Sequence, residues 1–189
     1  MTTIRHCVVL LSVLCLSSTG ALAQDNIPGA LVTNKEEEAL AKHRLTVENV
    51  RKLFAVEREL LKVWKEVPDL DTRAAELGMR IDPHRLEHSL AREAKIYDGI
   101  PEIRQVLQRQ RMSAREYLLT QMTVLQAERL DEALRDEVRR REYETNDVMR
   151  EVLQSQALRF WRTMDPALKA EAVEWKKVRG EMEKRARGK

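Results

Sequence analysis

One stretch has residue types and spacing that match a known kind of chemistry: His84-Arg85-Leu86-Glu87-His88. Two histidines four apart on a helix lie on the same side, one turn apart, so their rings can share a divalent ion such as zinc. Glu87 sits next to that face, where a carboxylate can act as general base toward metal-bound water. Opposing this reading, a catalytic zinc needs a third protein ligand, and no neighbouring element announces one. Pro83 also places His84 in the first, fraying turn of its helix. In a chain rich in glutamate a five-residue match arises easily, so solvated surface histidines are the simpler expectation. No cofactor is expected.

Other reactive side chains have local explanations. His43, in Lys42-His43-Arg44, reads as a solvated residue at a helix end. Ser113 has no base near it and no glycine elbow, but Glu116 follows three residues later, which makes the pair a capping box. Acidic pairs such as Asp136/Glu137 and Glu142/Glu144 occur by composition alone, with 31 acidic residues in the chain. Phe160, Trp161 and Trp175 are the large apolar groups of the C-terminal third. Because Phe160 and Trp161 are consecutive they cannot point the same way. The three are therefore a candidate interaction surface, weighed against a plain role in the core. No glycine-rich phosphate loop, dinucleotide fingerprint or calcium loop is present.

The elements that must position these residues read as helices. Thr46, Asp82, Ser113 and Asp165 are the expected N-caps, and proline follows directly after Asp82 and Asp165. From Thr46, the residues Val47, Val50, Leu53, Phe54, Leu60, Leu61, Trp64 and Val67 recur with a helical period until Pro68. Asp69 to Met79 holds at most a short helix. Leu86, Leu90, Ala94 and Tyr97 line the next helix, which Asp98-Gly99 ends. Pro101 opens another, with Ile103, Val106 and Leu107 inward. The central stretch from Ser113 puts Tyr117, Leu118, Met122 and Leu125 on one face. That helix either runs on through Leu130, Leu134 and Val138 or gives way to a charged linker or protruding helix over 131–145. Asn146-Asp147 is expected to start a helix with Met149, Val152, Leu153, Phe160 and Met164 inward. Asp165-Pro166 starts the last, with Leu168, Ala172, Trp175, Val178 and Met182 on its face.

No segment alternates with period two, so the fold class is all-α, an irregular bundle of about five to seven helices. The expected organisation is a signal peptide at 1–23, a disordered leader at 24–34, a single helical domain at 35–183 and a basic flexible tail at 184–189. The signal reading rests on Arg5 and His6, the short apolar run from Cys7 to Leu16, and the small-x-small site Ala21-Leu22-Ala23. A run of that length is about half of what spans a bilayer. Cys15 follows a leucine, which does not suit lipidation. Cleavage removes both cysteines, Cys7 and Cys15, and leaves 166 of the 189 residues. The mature chain would then have no disulfide, thiol nucleophile or thiolate metal site.

The composition is 34% charged and 43% hydrophobic, with aromatics at 4%. Basic residues number 34 against 31 acidic ones, a net charge of +3 that falls to +2 once Arg5 is removed. Interleaved charge of this kind belongs to solvated helix faces, and no nucleic-acid partner is expected.

The run Tyr97-Asp98-Gly99-Ile100-Pro101-Glu102-Ile103-Arg104 through Ser113-Ala114-Arg115-Glu116-Tyr117 resembles small exported bacterial helical proteins of unassigned function. They pair a signal peptide with a helical domain that has an L-S-x-R-E-Y helix start, and Met112 stands here where that pattern has Leu. The resemblance implies a periplasmic or secreted helical domain and no mechanism. Small periplasmic helical chaperones carry an L-T-x-x-Q motif whose spacing Leu119-Thr120-Gln121 lacks. Proteases built on H-x-x-E-H are larger mixed α/β proteins. The leading expectation is therefore an exported, non-catalytic protein acting by binding, structure or regulation on an unknown protein or peptide partner in the envelope. A homo-oligomer is compatible with it, and no transmembrane segment is expected in the mature chain. The alternatives are a periplasmic chaperone-like module and a metal-dependent hydrolase using His84, Glu87 and His88.

Overall fold

Apolar stripes at helical spacing must be buried against one another, and they do so here without a sheet. The computed structural model describes residues 34–81, 90–146 and 152–187. Among them there are nine helices and no strand: α1 (Asn34–Lys42), α2 (Val47–Glu66), α3 (Leu70–Ile81), α4 (Leu90–Gly99), α5 (Pro101–Arg109), α6 (Ala114–Ala133), α7 (Glu137–Thr145), α8 (Gln156–Thr163) and α9 (Pro166–Arg187). The fold class is all-α, an irregular bundle. The expected signal peptide, most of the expected leader, and the expected Asp82 cap lie outside the described residues. Among the described residues no helix is long and apolar enough to cross a membrane.

α6 is the central element. It packs against α8, α4, α2, α1 and α5. The sequence predicts one buried face for it, yet Tyr117 to Leu119, Thr120, Gln121, Thr123, Val124, Leu125 and Ala127 are all buried. Being surrounded on several sides narrows the polar face, so Thr120, Gln121 and Thr123 go inside as well.

The described helices exceed the expected five to seven, and two long stripes are interrupted. The first break falls at Leu134–Asp136, where Asp136 accepts from the N–H groups of Val138 (2.9 Å) and Arg139 (3.1 Å) and starts α7. The second falls at Ser155, whose side chain accepts from the Leu158 N–H at 3.3 Å and starts α8. In each place a side-chain acceptor satisfies N–H groups that a continuous helix would bond internally, which stabilises a new start. The expected inward side chains Val138 and Val152 are exposed, and Val47 is exposed as well. Instead Leu158, which the stripe omits, is fully buried. α3 is a full helix of 12 residues, longer than expected. α9 continues to Arg187, so the backbone does not leave the helix at Lys184.

Other boundaries fall as expected. Thr46 accepts from the Asn49 N–H (3.1 Å) while the Asn49 carboxamide oxygen accepts from the Thr46 N–H (2.8 Å), a complete capping box. Ser113 accepts from the Glu116 N–H at 3.1 Å, but the return bond from the Glu116 side chain is not formed. Asp165 accepts from Ala167 N–H (2.7 Å) and Leu168 N–H (3.3 Å). Val67 ends α2 in an extended conformation ahead of Pro68.

The core is aliphatic with a few rings. Val50, Leu53, Phe54, Val56 and Leu60 of α2 meet Ile103, Val106 and Leu107 of α5 and Leu168, Ala172 and Trp175 of α9 within one cluster. Phe54 and Trp175 pack with ring centroids 6.0 Å apart, and Tyr97 and Tyr117 with centroids 5.6 Å apart. Ion pairs fasten the outside: Arg73 to Glu102 (α3 to α5), Arg162 to Asp131 (α8 to α6), Lys176 to Glu128 (α9 to α6) and Arg58 to Glu171 (α2 to α9).

Candidate functional site

The histidine motif does not enter the geometry, because His84, Glu87 and His88 lie outside the described residues. Among the described residues no three His, Cys, Asp or Glu side chains are placed to share a metal ion. The aromatic surface is overturned for two of its three members. Trp161 and Trp175 are buried, and Phe160 is half-buried against the same core. Consecutive residues on α8 do diverge, but both directions lead to packed surfaces, since α6 lies against α8. The indoles therefore act as packing groups.

The structure assembles two polar clusters that sequence reasoning missed. The first joins α2 to α6. Tyr117 O–H donates to Glu57 Oε1, Gln121 Nε2 donates to the same oxygen at 2.6 Å, and Gln121 Nε2 lies 2.9 Å from Tyr117 Oη. All three residues are buried, Glu57 being 6% exposed. A buried carboxylate is tolerated when donors surround it. Tyr117 and Gln121 are four apart, the spacing that puts two donors on one helix face. Nothing local marks Glu57 as different from its exposed neighbours; the apolar Val56 and Leu60 around it are the faint signal.

The second cluster lies at the joint between α1 and α2. His43 Nε2 is 3.0 Å from Thr120 Oγ1 of α6, 77 residues away in the chain. Thr120 has no exposed surface, and His43 is half-buried, which corrects the expectation of a solvated helix-end residue. Burial pushes the His43 imidazole below its ordinary value, and the Glu116 carboxylate one turn earlier on α6 partly opposes that. Beside it, the Gln156 carboxamide grips the Leu45 backbone twice, accepting from Leu45 N–H at 3.0 Å and donating to Leu45 C=O at 2.8 Å. A histidine against a hydroxyl is the geometry of a base and a nucleophile. Here, however, the hydroxyl is sealed from solvent, so no substrate atom can reach it.

At the surface, two shallow depressions stand out. One, of about 180 Å³, is lined by Arg73, Glu76, Leu77, Arg80, Gly99 and Ile100, between α3 and the α4–α5 turn. Arg73 is already engaged, donating to both oxygens of Glu102 at 2.9 Å, and that pairing holds the Glu102 carboxyl below the usual carboxylate range. The other, of about 440 Å³, runs along α7 past Glu137, Val138, Arg141, Glu142 and Thr145. No residue of α7 is buried, and Val138 is 68% exposed. Ion pairs within the helix, Arg141 to Glu137 at 2.5 Å and Arg140 to Glu144 at 3.9 Å, hold its charges along the groove. Of the acidic residues considered for acid/base work, Asp136 thus caps α7, and Glu137 and Glu144 form its helix-surface pairs.

No family model, curated protein or solved structure matches this chain.

Proposed function

We propose that this chain is an exported helical protein of the cell envelope that works by binding a protein partner, with the bundle as scaffold and α7 as the contact element. The observation that carries the reading is α7 itself. A helix with no buried residue and a valine exposed on its surface gains nothing for the bundle's own core. Mixed charges along the helix fit a partner whose surface carries both signs. The Glu57 carboxylate and the Thr120 hydroxyl beside His43 are enclosed by packing, which supports a role without catalysis. The export half of the proposal takes up the signal-like residues 1–23 and the resemblance of 97–117 to small exported bacterial helical proteins.

Two measurements test it. Mass spectrometry of the chain recovered from the envelope of a bacterial host should give a polypeptide beginning at Gln24; an intact N-terminus and a cytoplasmic product would end the export proposal. A photo-crosslinking residue at Val138 should then give a discrete adduct that R141E suppresses. Equal adducts from an exposed position on another helix, such as Lys62 of α2, would remove α7 from the role.

A further inference from the structure

We propose that α1 is a pH-released strap: a helix held over α6 by Leu40 and the His43–Thr120 hydrogen bond, and let go when the His43 imidazole takes up a proton. The attachment is narrow. α1 packs on α6, and among its described side chains Leu40 is buried and Ala39 is half-buried. Glu38 and Lys42 pair with each other in solvent at 2.5 Å and contribute nothing to docking. A helix of nine residues does not persist in water without tertiary contacts, so undocking and unwinding go together.

The pivot is equally well defined. Leu45 is buried and doubly bonded to Gln156, and Thr46 closes the α2 capping box, so the chain is fixed from Leu45 onward. Only His43 and Arg44 lie between that anchor and α1, and the His43 N–H donates back to Leu40 C=O at 3.2 Å. Beneath the imidazole is the Thr120 hydroxyl, buried and in need of a partner while α1 is docked.

The charged surroundings set the direction. On α6, Glu116 favours the protonated ring. On α1, Glu38 and Lys42 neutralise each other; on the joint, Arg44 is exposed; on α2, Glu48 is paired with Lys52 at 2.7 Å; α8 presents the neutral Gln156. Burial outweighs Glu116, so the docked state prefers the neutral ring. Once α1 swings away the ring is in water and regains its ordinary affinity for a proton. The released state therefore binds protons more tightly, and release is favoured as pH falls below about 6.5.

Amide hydrogen exchange on the full chain, corrected for the intrinsic pH dependence of exchange, tests this at pH 7.5 and 5.5. Protection of the amides from Ala39 to His43 should fall several-fold at the lower pH, while the amides of α2 from Leu53 to Leu60 stay protected. In H43Q that pH dependence should vanish, and in E116Q the acid response should grow because the carboxylate that favours the protonated ring is gone. T120V keeps the imidazole but removes its hydroxyl partner and should loosen α1 already at pH 7.5. Protection of α1 that is the same at both pH values in the natural sequence, or an acid response that survives in H43Q, overturns the proposal. If H43Q frees α1 at both pH values, E116Q decides: an unchanged acid response there rejects the strap.

Discussion

The hydroxyl of Tyr117 donates to the carboxylate of Glu57 inside the bundle, tying α6 to α2 across 60 residues of chain. Gln121, one turn later, donates to the same oxygen and to the tyrosine oxygen, so each of the three side chains bonds to the other two. The Tyr97 ring packs against the Tyr117 ring, with centroids 5.6 Å apart. Such a set opposes rotation or sliding of α6 against α2 more strongly than aliphatic contacts do, because a shifted register leaves a carboxylate short of donors.

Replacing Tyr117 with phenylalanine deletes one donor to a buried carboxylate while keeping the ring. A loss of about 1–3 kcal/mol in unfolding free energy is expected from urea denaturation. Q121L should cost a similar amount, and the double variant should cost less than the two losses added together. An additive double variant would mean that the two donors act independently.

Arg111 joins α5 to α6 with φ of 51°, in the left-handed region. The Met112 N–H bonds to Leu107 C=O and the Arg111 N–H to Gln108 C=O, both at 3.0 Å, the pair of bonds that closes a Schellman motif. Glycine is the residue suited to the left-handed position, and arginine is strained there. R111G should raise stability by about 0.5–1 kcal/mol, read as a higher urea midpoint at unchanged slope. A fall in midpoint would show that the arginine side chain contributes more than its backbone strain costs.

Gly99 ends α4 where α3 crosses close by. A Cβ placed there would lie 2.3 Å from Leu77 Cδ2, so the leucine must turn away. G99A is expected to lower stability by about 1 kcal/mol through that displacement. Combining it with L77A should recover part of the loss relative to L77A alone, in a double-mutant cycle. Full additivity would show that Leu77 moves at no cost.

Stability should fall in two separate acid steps. His43 contributes above about pH 6.5 and its share is lost as pH drops toward its lower folded value. Carboxyls follow at lower pH, Glu59 and Glu102 bonded between helices and the exposed Glu48 beside Lys52. The Arg73 guanidinium lowers Glu102; burial pushes Glu59 up, but hydrogen bonds from Arg109 and Gln110 more than offset it. Both carboxyls lie below the ordinary value of 4.5 in the folded chain, so their stabilisation is present above that pH and disappears as pH falls through the folded values. Urea midpoints from pH 3 to 7 at constant ionic strength should show both steps. E59Q/E102Q should flatten the lower step and leave the upper one in place.

Helix starts were legible in the residues themselves. Thr46, Ser113, and Asp165 before Pro166, cap helices because a side-chain acceptor and the N–H groups it meets lie within three residues of each other. That relationship needs no tertiary information. The inward residues Ile103, Val106 and Leu107 of α5 and Leu168, Ala172 and Trp175 of α9 were legible too, because their helical period marks one face. Tertiary structure alone decided the rest. α6 is enclosed by five other helices, which narrows the polar face its period implies, and Glu57, Thr120 and Gln121 go inside because their partners arrive from elsewhere. His43 meets Thr120 across 77 residues and Gln156 meets Leu45 across 111, and no local spacing encodes either meeting. A side chain's partner within one helical turn is set by backbone geometry, whereas its partner across the bundle is set by how the apolar faces close.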